Sequence, residues 1–386
     1  MSLDLSRYSF TQGEETGQIA NLGLLPKMDQ VRLLGAGIDV TNNSVSGSFM
    51  QINREDVHCD SQRDGLELMS IKAALKKFDG LPNYFWKLLN PDADDILRKA
   101  HETLHGGYFV RAKKGVRLHD PLQSCMFMKG ARVGQSIHNI VIVEEGAEVH
   151  ILNGCATQSA HEEALHLGLT EFYVEKGGKL TFTMVHNWGD NVVVRPKTAG
   201  IVEEGGEFQS NYILLKTVGD LSMYPTIKLN GAGAVARFNS VIVAPEGSNL
   251  DCGNRIELNA QKTRGEVIAR VVTTGGKVIN RGFIGAYATP VKGHLECKGL
   301  LLGGGSVHTI PELYSECDGV ELSHEAAVGK IAQEEIEYLM ARGLDEDEAT
   351  STIVRGFLNV EIMGLPNQLQ NAINEQIETL NAGNAL

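Results

Sequence analysis

The chain of 386 residues contains no run approaching the roughly 18 consecutive apolar residues that a membrane-spanning helix needs, so no helical membrane anchor is expected. It also lacks basic charge in excess. Lys and Arg number 35 against 48 Asp and Glu, a formal net charge of −13, which argues against a surface built chiefly to neutralise nucleic-acid phosphates. There is no Cys-x-x-Cys pair, the usual spacing of a closed structural zinc site. A phosphate-binding Gly-x-x-x-x-Gly-Lys-[Ser/Thr] loop is missing too, because Gly329-Lys330 is followed by Ile331; ATP hydrolysis would have to come from a partner. His161-Glu162-Glu163-Ala164-Leu165-His166 sets its second histidine one position too late to share a helical face with the first, so it is not a zincin motif. The opening Met1-Ser2-Leu3-Asp4-Leu5-Ser6-Arg7 carries neither a basic segment nor an apolar one, and the reading is a soluble, unsecreted, cytoplasmic protein.

Aromatic residues make up only 6% of the chain and Trp only two positions, whereas Gly reaches 43. That balance favours many tight turns over a few bulky apolar layers. A unit of β-branched residues, an acidic or polar pair, glycine and a second strand recurs at Ile142–Ile151, Tyr173–Phe182 and Ile201–Phe208. Its glycines Gly146, Gly177 and Gly205 follow one another at a nearly constant interval, with looser copies at Gly231–Val235 and Thr274–Val278. Strand-and-turn repeats of that length point to a β-solenoid, since propeller blades need roughly 40 or more residues. A solenoid can also be a polysaccharide-processing enzyme, but two Trp give too few sugar-stacking platforms for that groove.

Around this core the period turns helical. Leu66, Met69, Ala73 and Leu75 suggest a helix over Gly65–Phe78, and Pro91 starts a second that Gly106-Gly107 ends. After Ile331 three amphipathic stripes follow: Ile336, Leu339 and Met340; Ile353, Phe357 and Leu358; Leu369, Ile373 and Ile377. The organisation expected is a mixed, helical N-terminal region at 1–105, a β-helix core at 106–322 and a helical C-terminal region at 323–386.

Six cysteines are scattered too widely to staple a fold, so reduced thiols are expected, with Cys59, Cys125 and Cys155 as small buried hydrophobes. Chemistry concentrates between 297 and 325, where Cys297, His308, Cys317, Glu321, His324 and Glu325 offer a mixed set of thiolate, imidazole and carboxylate ligands, the kind that holds iron or an iron–sulfur cluster labilely. The interval from Cys297 to Cys317 approximates one rung of a tight solenoid, which would stack the two thiols. Alternation with Leu295 and Leu301 equally allows Cys297 to point into the core. His324 and Glu325, behind Ser323, are expected to open the helical tail. Cys252 is a further metal candidate.

The run Gly303-Gly304-Gly305-Ser306-Val307-His308-Thr309-Ile310-Pro311, followed at this spacing by Ser323-His324-Glu325-Ala326-Ala327-Val328-Gly329-Lys330-Ile331, resembles the carboxy-terminal signature of the SufB/SufD family. The similarity extends loosely over residues 105 to 360. It implies a mainly β protein, a right-handed parallel β-helix flanked by helical regions, acting as a non-enzymatic scaffold for a transient iron–sulfur cluster. It further implies a homodimer that binds two copies of a SufC-type ABC ATPase through the C-terminal helices and passes clusters to apo iron–sulfur proteins. Under this resemblance the cluster candidates are Cys297, Cys317, His324 and Glu325, with His308, Glu321 and Cys252 as further metal candidates. Two departures stand out. Gly305 occupies the position of a SufB cysteine in a Cys-Gly-Ala-His-Thr motif, and Ile227 that of a cysteine after Tyr224-Pro225. The pattern therefore fits a short single-subunit SufBD scaffold, or alternatively a SufD-like subunit that binds the ATPase and a separate scaffold without holding a cluster.

Overall fold

The computed structural model describes residues 3–11, 17–41, 45–61 and 63–358. Its body is a parallel β-solenoid of about eight turns with helices at both ends. Two sheets of ten and eleven strands face each other, and successive turns contribute one strand or strand pair to each. The recurring glycines explain why the chain turns where it does. Gly146, Gly177, Gly205 and Gly233 all have φ between +62° and +72°, a conformation that side chains with a Cβ rarely adopt. The backbone N–H groups of the first three donate to the next turn in the stack: Gly146 to Lys176 O at 3.0 Å, Gly177 to Glu204 O at 2.8 Å and Gly205 to Ala232 O at 3.0 Å. A short-range turn signal thus also fixes the long-range register.

Alternation puts every second side chain inside. Phe172 packs on Phe182 (ring centroids 4.9 Å apart) and on Phe208 (5.3 Å), and Phe208 packs on Phe238 (5.8 Å), which makes an aromatic stack along the solenoid axis. Each such pair contributes roughly 0.5–1.5 kcal/mol beyond its area burial.

The first end of the solenoid is closed. Gly47–Ile52 pairs parallel with Leu122–Met128 and antiparallel with Glu55–Ser61, while Leu66–Ser70 pairs antiparallel with Tyr108–Ala112. The helix expected over Gly65–Phe78 is therefore half strand, with Ser70 capping a short helix over Ile71–Lys77. Pairing with the existing sheet edge outweighs helical spacing in so short a segment. The second expected helix spans Asp95–Glu102, capped by Asp94, whose side chain accepts from Leu97 N at 2.7 Å. Its Leu97 and Ala100 pack with Leu165, Leu167 and Leu169 on the outside of the eleven-stranded sheet.

At the other end, helices cover Gln333–Met340 and Glu346–Leu358, matching the first two C-terminal stripes. Val354 and Leu358 lie on the outer face of the ten-stranded sheet against Val185, Ile213, Val243, Val272 and Leu300. The third stripe, at Leu369, Ile373 and Ile377, lies outside the described residues. The helical tail starts later than expected. Residues Glu321–Gly329 form a strand, so His324 and Glu325 belong to the solenoid and not to a helix. Their Ala-rich, Glu-containing sequence suits a helix locally, but continuous register with the strand Lys292–Leu301 sets the backbone instead.

Candidate functional site

The last turn of the solenoid is where the expected ligands meet the fold. Its strands are Ser306–Ser315 in one sheet and Glu321–Gly329 in the other. Among the described residues each pairs on one side only, with Lys277–Ala286 and Lys292–Leu301 respectively. Two full-length edges thus stand open side by side, and Leu313, Tyr314 and Val328 are 39%, 45% and 43% exposed there. An open edge of this length presents unpaired N–H and C=O groups, a template for another strand.

Cys297 lies one turn below, fully buried. It stands in register with Ala269 on one side and Ala326 on the other. The steps from Ala269 to Cys297 and from Cys297 to Ala326 are the true length of a turn. The step from Cys297 to Cys317 is shorter, so the two thiols do not stack. Cys317 falls instead in the connection between the last two strands, where its N–H donates to Ser315 Oγ at 3.1 Å. Burial pushes the Cys297 thiol up to about 11, only partly offset by the side chain of Asn280. In the isolated chain it is a protonated thiol at neutral pH.

His324 has the inward parity of Cys297. It is in register with Leu295, two positions before Cys297 on the neighbouring strand, yet it is exposed because, among the described residues, no further turn covers it. Cys297 and His324 therefore share the interior face at the open end. The other candidates do not join them. Glu325 has the outward parity and pairs with Lys298 Nζ at 2.9 Å, whose hydrogen bond and charge hold its carboxyl below the usual range. Glu321 pairs with Lys292 at 2.7 Å, also outside. His308 is in register with Ile279 on the outward side of the opposite sheet. Cys252 is buried in the central core, and burial pushes its thiol far up. Among the described residues no group of three or more His, Cys, Asp and Glu side chains converges to hold a metal ion. Of the cysteines expected to be buried, Cys125 and Cys155 are, but Cys59 lies on an exposed edge strand.

The two positions that depart from the SufB pattern are settled by packing. Gly305 has φ +92°, and a Cβ there would come 2.3 Å from Gly276 O and 2.7 Å from Gly275 C. This backbone has no room for a cysteine. Ile227 is fully buried, opposite Gly200 in register, and a Cβ on Gly200 would meet Ile227 Cδ1 at 2.6 Å. An aliphatic chain fills the space, and Gly200 is small to admit it.

Sequence reasoning missed the charged lattice on the outer face beside this end. Glu296 pairs with Arg270 and, at 3.4 Å, with Lys298, which also holds Glu325, and the Arg270 guanidinium lies 6.0 Å from the Phe357 ring of the last described helix. Of these charges Arg270 is the one that reaches the C-terminal helices, through Phe357. Period-two alternation from Arg270 through Glu296 and Lys298 marks them as outward, but only the register shows that they meet.

The family model described as SUF system FeS cluster assembly, SufBD core domain, matches residues 126–357, more than half of the chain. The chain belongs to the SufBD family. It is 47% identical to an iron–sulfur cluster assembly SufBD family protein of Archaeoglobus fulgidus, over 95% of this chain and 98% of that protein. A namesake of Methanothermobacter thermautotrophicus is 40% identical over 95% of this chain and 91% of its own length. The iron–sulfur cluster assembly protein SufB of Bacillus subtilis is 30% identical over 92% of this chain and 75% of its own length. Membership places the chain in iron–sulfur cluster assembly. The matched region contains the last turn with both of its open edges and most of the last described helix.

Proposed function

We propose that this SufBD protein is a scaffold on which an iron–sulfur cluster is assembled, and that it works as a homodimer joined through the open end of its solenoid. The observation that carries the reading is the pair of edge strands, Ser306–Ser315 and Glu321–Gly329, each left open on one side among the described residues, at the end of the solenoid directly above Cys297. Among the described residues one chain supplies too few converging ligands. Two chains joined edge to edge would bring together two copies of Cys297 and His324, with Cys317 and Glu325 near the seam, a mixed thiolate, imidazole and carboxylate set suited to a cluster that must leave again. The cluster is cargo, destined for apo iron–sulfur proteins.

The C-terminal helices are the proposed docking site of a SufC-type ATPase, which supplies the ATP hydrolysis that this chain has no motif for. Glu346–Leu358 rests on the outer face of the ten-stranded sheet through Val354 and Leu358, and Arg270, which lies over the Phe357 ring of that helix, pairs with Glu296, the neighbour of Cys297 on its strand. A pull on the helices would reach the strand that bears Cys297 through these contacts. Such a complex would hold two scaffolds and two ATPases and would act in the cytoplasm, where the ATP it consumes is found. Among the described residues no helix is long and apolar enough to cross a membrane.

Leu313→Lys and Val328→Lys test the dimer. Both side chains lie at the open end and are well exposed, so each chain should still fold. Light scattering is expected to report a dimer for the native protein and a monomer for the double variant; a native monomer, alone and with the ATPase, contradicts the reading.

Gly305 and Ile227 favour a second reading, a SufD-like subunit that binds the ATPase and a separate scaffold but carries no cluster. A chain that takes up no iron and sulfide alone or with the ATPase, yet binds a cysteine-bearing SufB, would establish it.

A further inference from the structure

Away from Cys297, on the outer face of the ten-stranded sheet, lies a cavity of about 730 Å³. Its two walls are rows of outward side chains on successive turns. One row is Val235, Arg264, Lys292 and Glu321; the other is Arg237, Glu266, His294 and Ser323. The floor between them is the backbone of Ala236, Gly265 and Gly293, which stand in register. Rows two positions apart along a strand are roughly 7 Å apart, wide enough for a small flat molecule.

The charges along this groove do not balance. Glu266 is engaged by Arg237 at 2.5 Å and Glu321 by Lys292 at 2.7 Å, and His294 Nδ1 is bonded to Ser323 Oγ at 2.8 Å. Arg264 has no ion pair among the described residues. It is also in register with Lys292, and two cations directly opposite each other on adjacent strands cost stability. The groove therefore holds more strong cations, Arg237, Arg264 and Lys292, than carboxylates, Glu266 and Glu321, in a chain whose net charge is −13. A forked guanidinium left unpaired in a concave site is suited to two parallel hydrogen bonds with a carboxylate or phosphate.

We propose that this groove binds a small organic oxyanion, with Arg264 making the ion pair. The volume suits a metabolite-sized ligand. The proposal is independent of how the cluster is held, since none of the four cluster candidates lines the groove, and Glu321, a further metal candidate that does, is engaged by Lys292.

Isothermal titration of the full chain with citrate and, separately, with inorganic phosphate, both at constant ionic strength, tests it. The expected result is saturable binding of at least one probe. It should weaken by about tenfold or more in Arg264→Gln, as loss of a charged hydrogen-bonding partner requires, and less in Arg264→Lys, which keeps the charge without the fork. Lys277→Gln, on the opposite sheet, should bind as the native chain does. Citrate alone points to a polycarboxylate ligand; phosphate alone points to a phosphate ester. Absence of saturable binding by both probes, or equal binding by native chain and Arg264→Gln, overturns the proposal.

Discussion

His138 and Glu171, on adjacent strands of one sheet and both fully buried, are joined by a hydrogen bond of 2.8 Å between His138 Nε2 and Glu171 Oε1. Glu171 also accepts from the backbone N–H of Trp86 at 2.7 Å, Lys87 at 2.9 Å and Leu88 at 2.6 Å, and from Tyr173 OH at 2.9 Å. Burial pushes the Glu171 carboxyl up, but the bond from His138 and the backbone donors outweigh it and leave the carboxyl below its usual range. Burial lowers His138, so the ring is neutral and donates from Nε2. An ionised carboxylate on the eleven-stranded sheet thus fastens the 86–88 loop of the N-terminal region to the core.

Glu171→Ala removes that carboxylate and leaves three backbone donors and His138 without their acceptor. Breaking one side of a buried charged network costs about 3–5 kcal/mol. Urea unfolding should show a loss of that order, and limited proteolysis should cut first near positions 84–90. A loss under about 0.5 kcal/mol, within the range of an ordinary surface substitution, would contradict the anchoring role.

Acid should weaken the fold well before carboxylates titrate. Burial lowers His105 and His150 to about 4 and His166 and His186 to about 3, and lowers His138 as well. These rings stay neutral in the folded chain, whereas in the unfolded chain they take up protons near the ordinary value of 6.5. The unfolded state therefore binds more protons below about pH 6.5, and stability falls as the pH drops from there toward 4. Glu171, depressed in the fold, adds a further loss at lower pH. Melting temperatures measured from pH 8 to about pH 4.5 should decline steeply below about pH 6.5; a flat profile down to pH 5 contradicts this account.

The thiols should separate by reactivity. Cys125, Cys155, Cys252 and Cys297 are buried, and desolvation raises all four thiols, Cys155 to about 12 and Cys297 to about 11. Cys59 is exposed as a residue, but its thiol faces Leu68 O at 3.6 Å and is raised to about 11. Cys317 is half-buried in a turn. Alkylation of the native chain at pH 8, read by peptide mass, should mark Cys317 first. Labelling of Cys297 at a comparable rate would mean that the open end admits solvent to the core.

Gly305→Cys restores the cysteine that the SufB pattern carries, but the backbone at φ +92° and the Gly276 carbonyl oppose it. The variant should unfold at lower denaturant, by about 1–3 kcal/mol for a non-glycine residue held in that region, and should gain no iron on reconstitution. An increase in bound iron without loss of stability would show that this turn adapts to a SufB-type site.

The fold was legible where local and long-range signals coincide. Gly146, Gly177 and Gly205 mark turns in the sequence and also pair those turns in space, so the period reads directly as a solenoid. The ligand geometry was not legible, because it depends on register. One full turn beyond Cys297 the chain has reached Ala326, well past Cys317, so one thiol points inward and the other sits in a connection. The segment Ser323 to Ala327 reads as a helix start until the neighbouring strand claims it. The groove of Arg264, Lys292 and His294 has no linear signature at all, since its residues meet only through strands stacked a full turn apart.

Anaerobic reconstitution with iron and sulfide, followed by absorption and Mössbauer spectra of the chain with and without a SufC-type ATPase, tests the central claim most directly. The account predicts a stoichiometric cluster on the dimer that transfers to an apo-ferredoxin. It also predicts loss of that cluster in the dimer-breaking Leu313→Lys and Val328→Lys double variant and in the Cys297→Ala and Cys317→Ala double variant. A native chain that binds no cluster under either condition, or an alanine double variant with unchanged iron and sulfide, would contradict it.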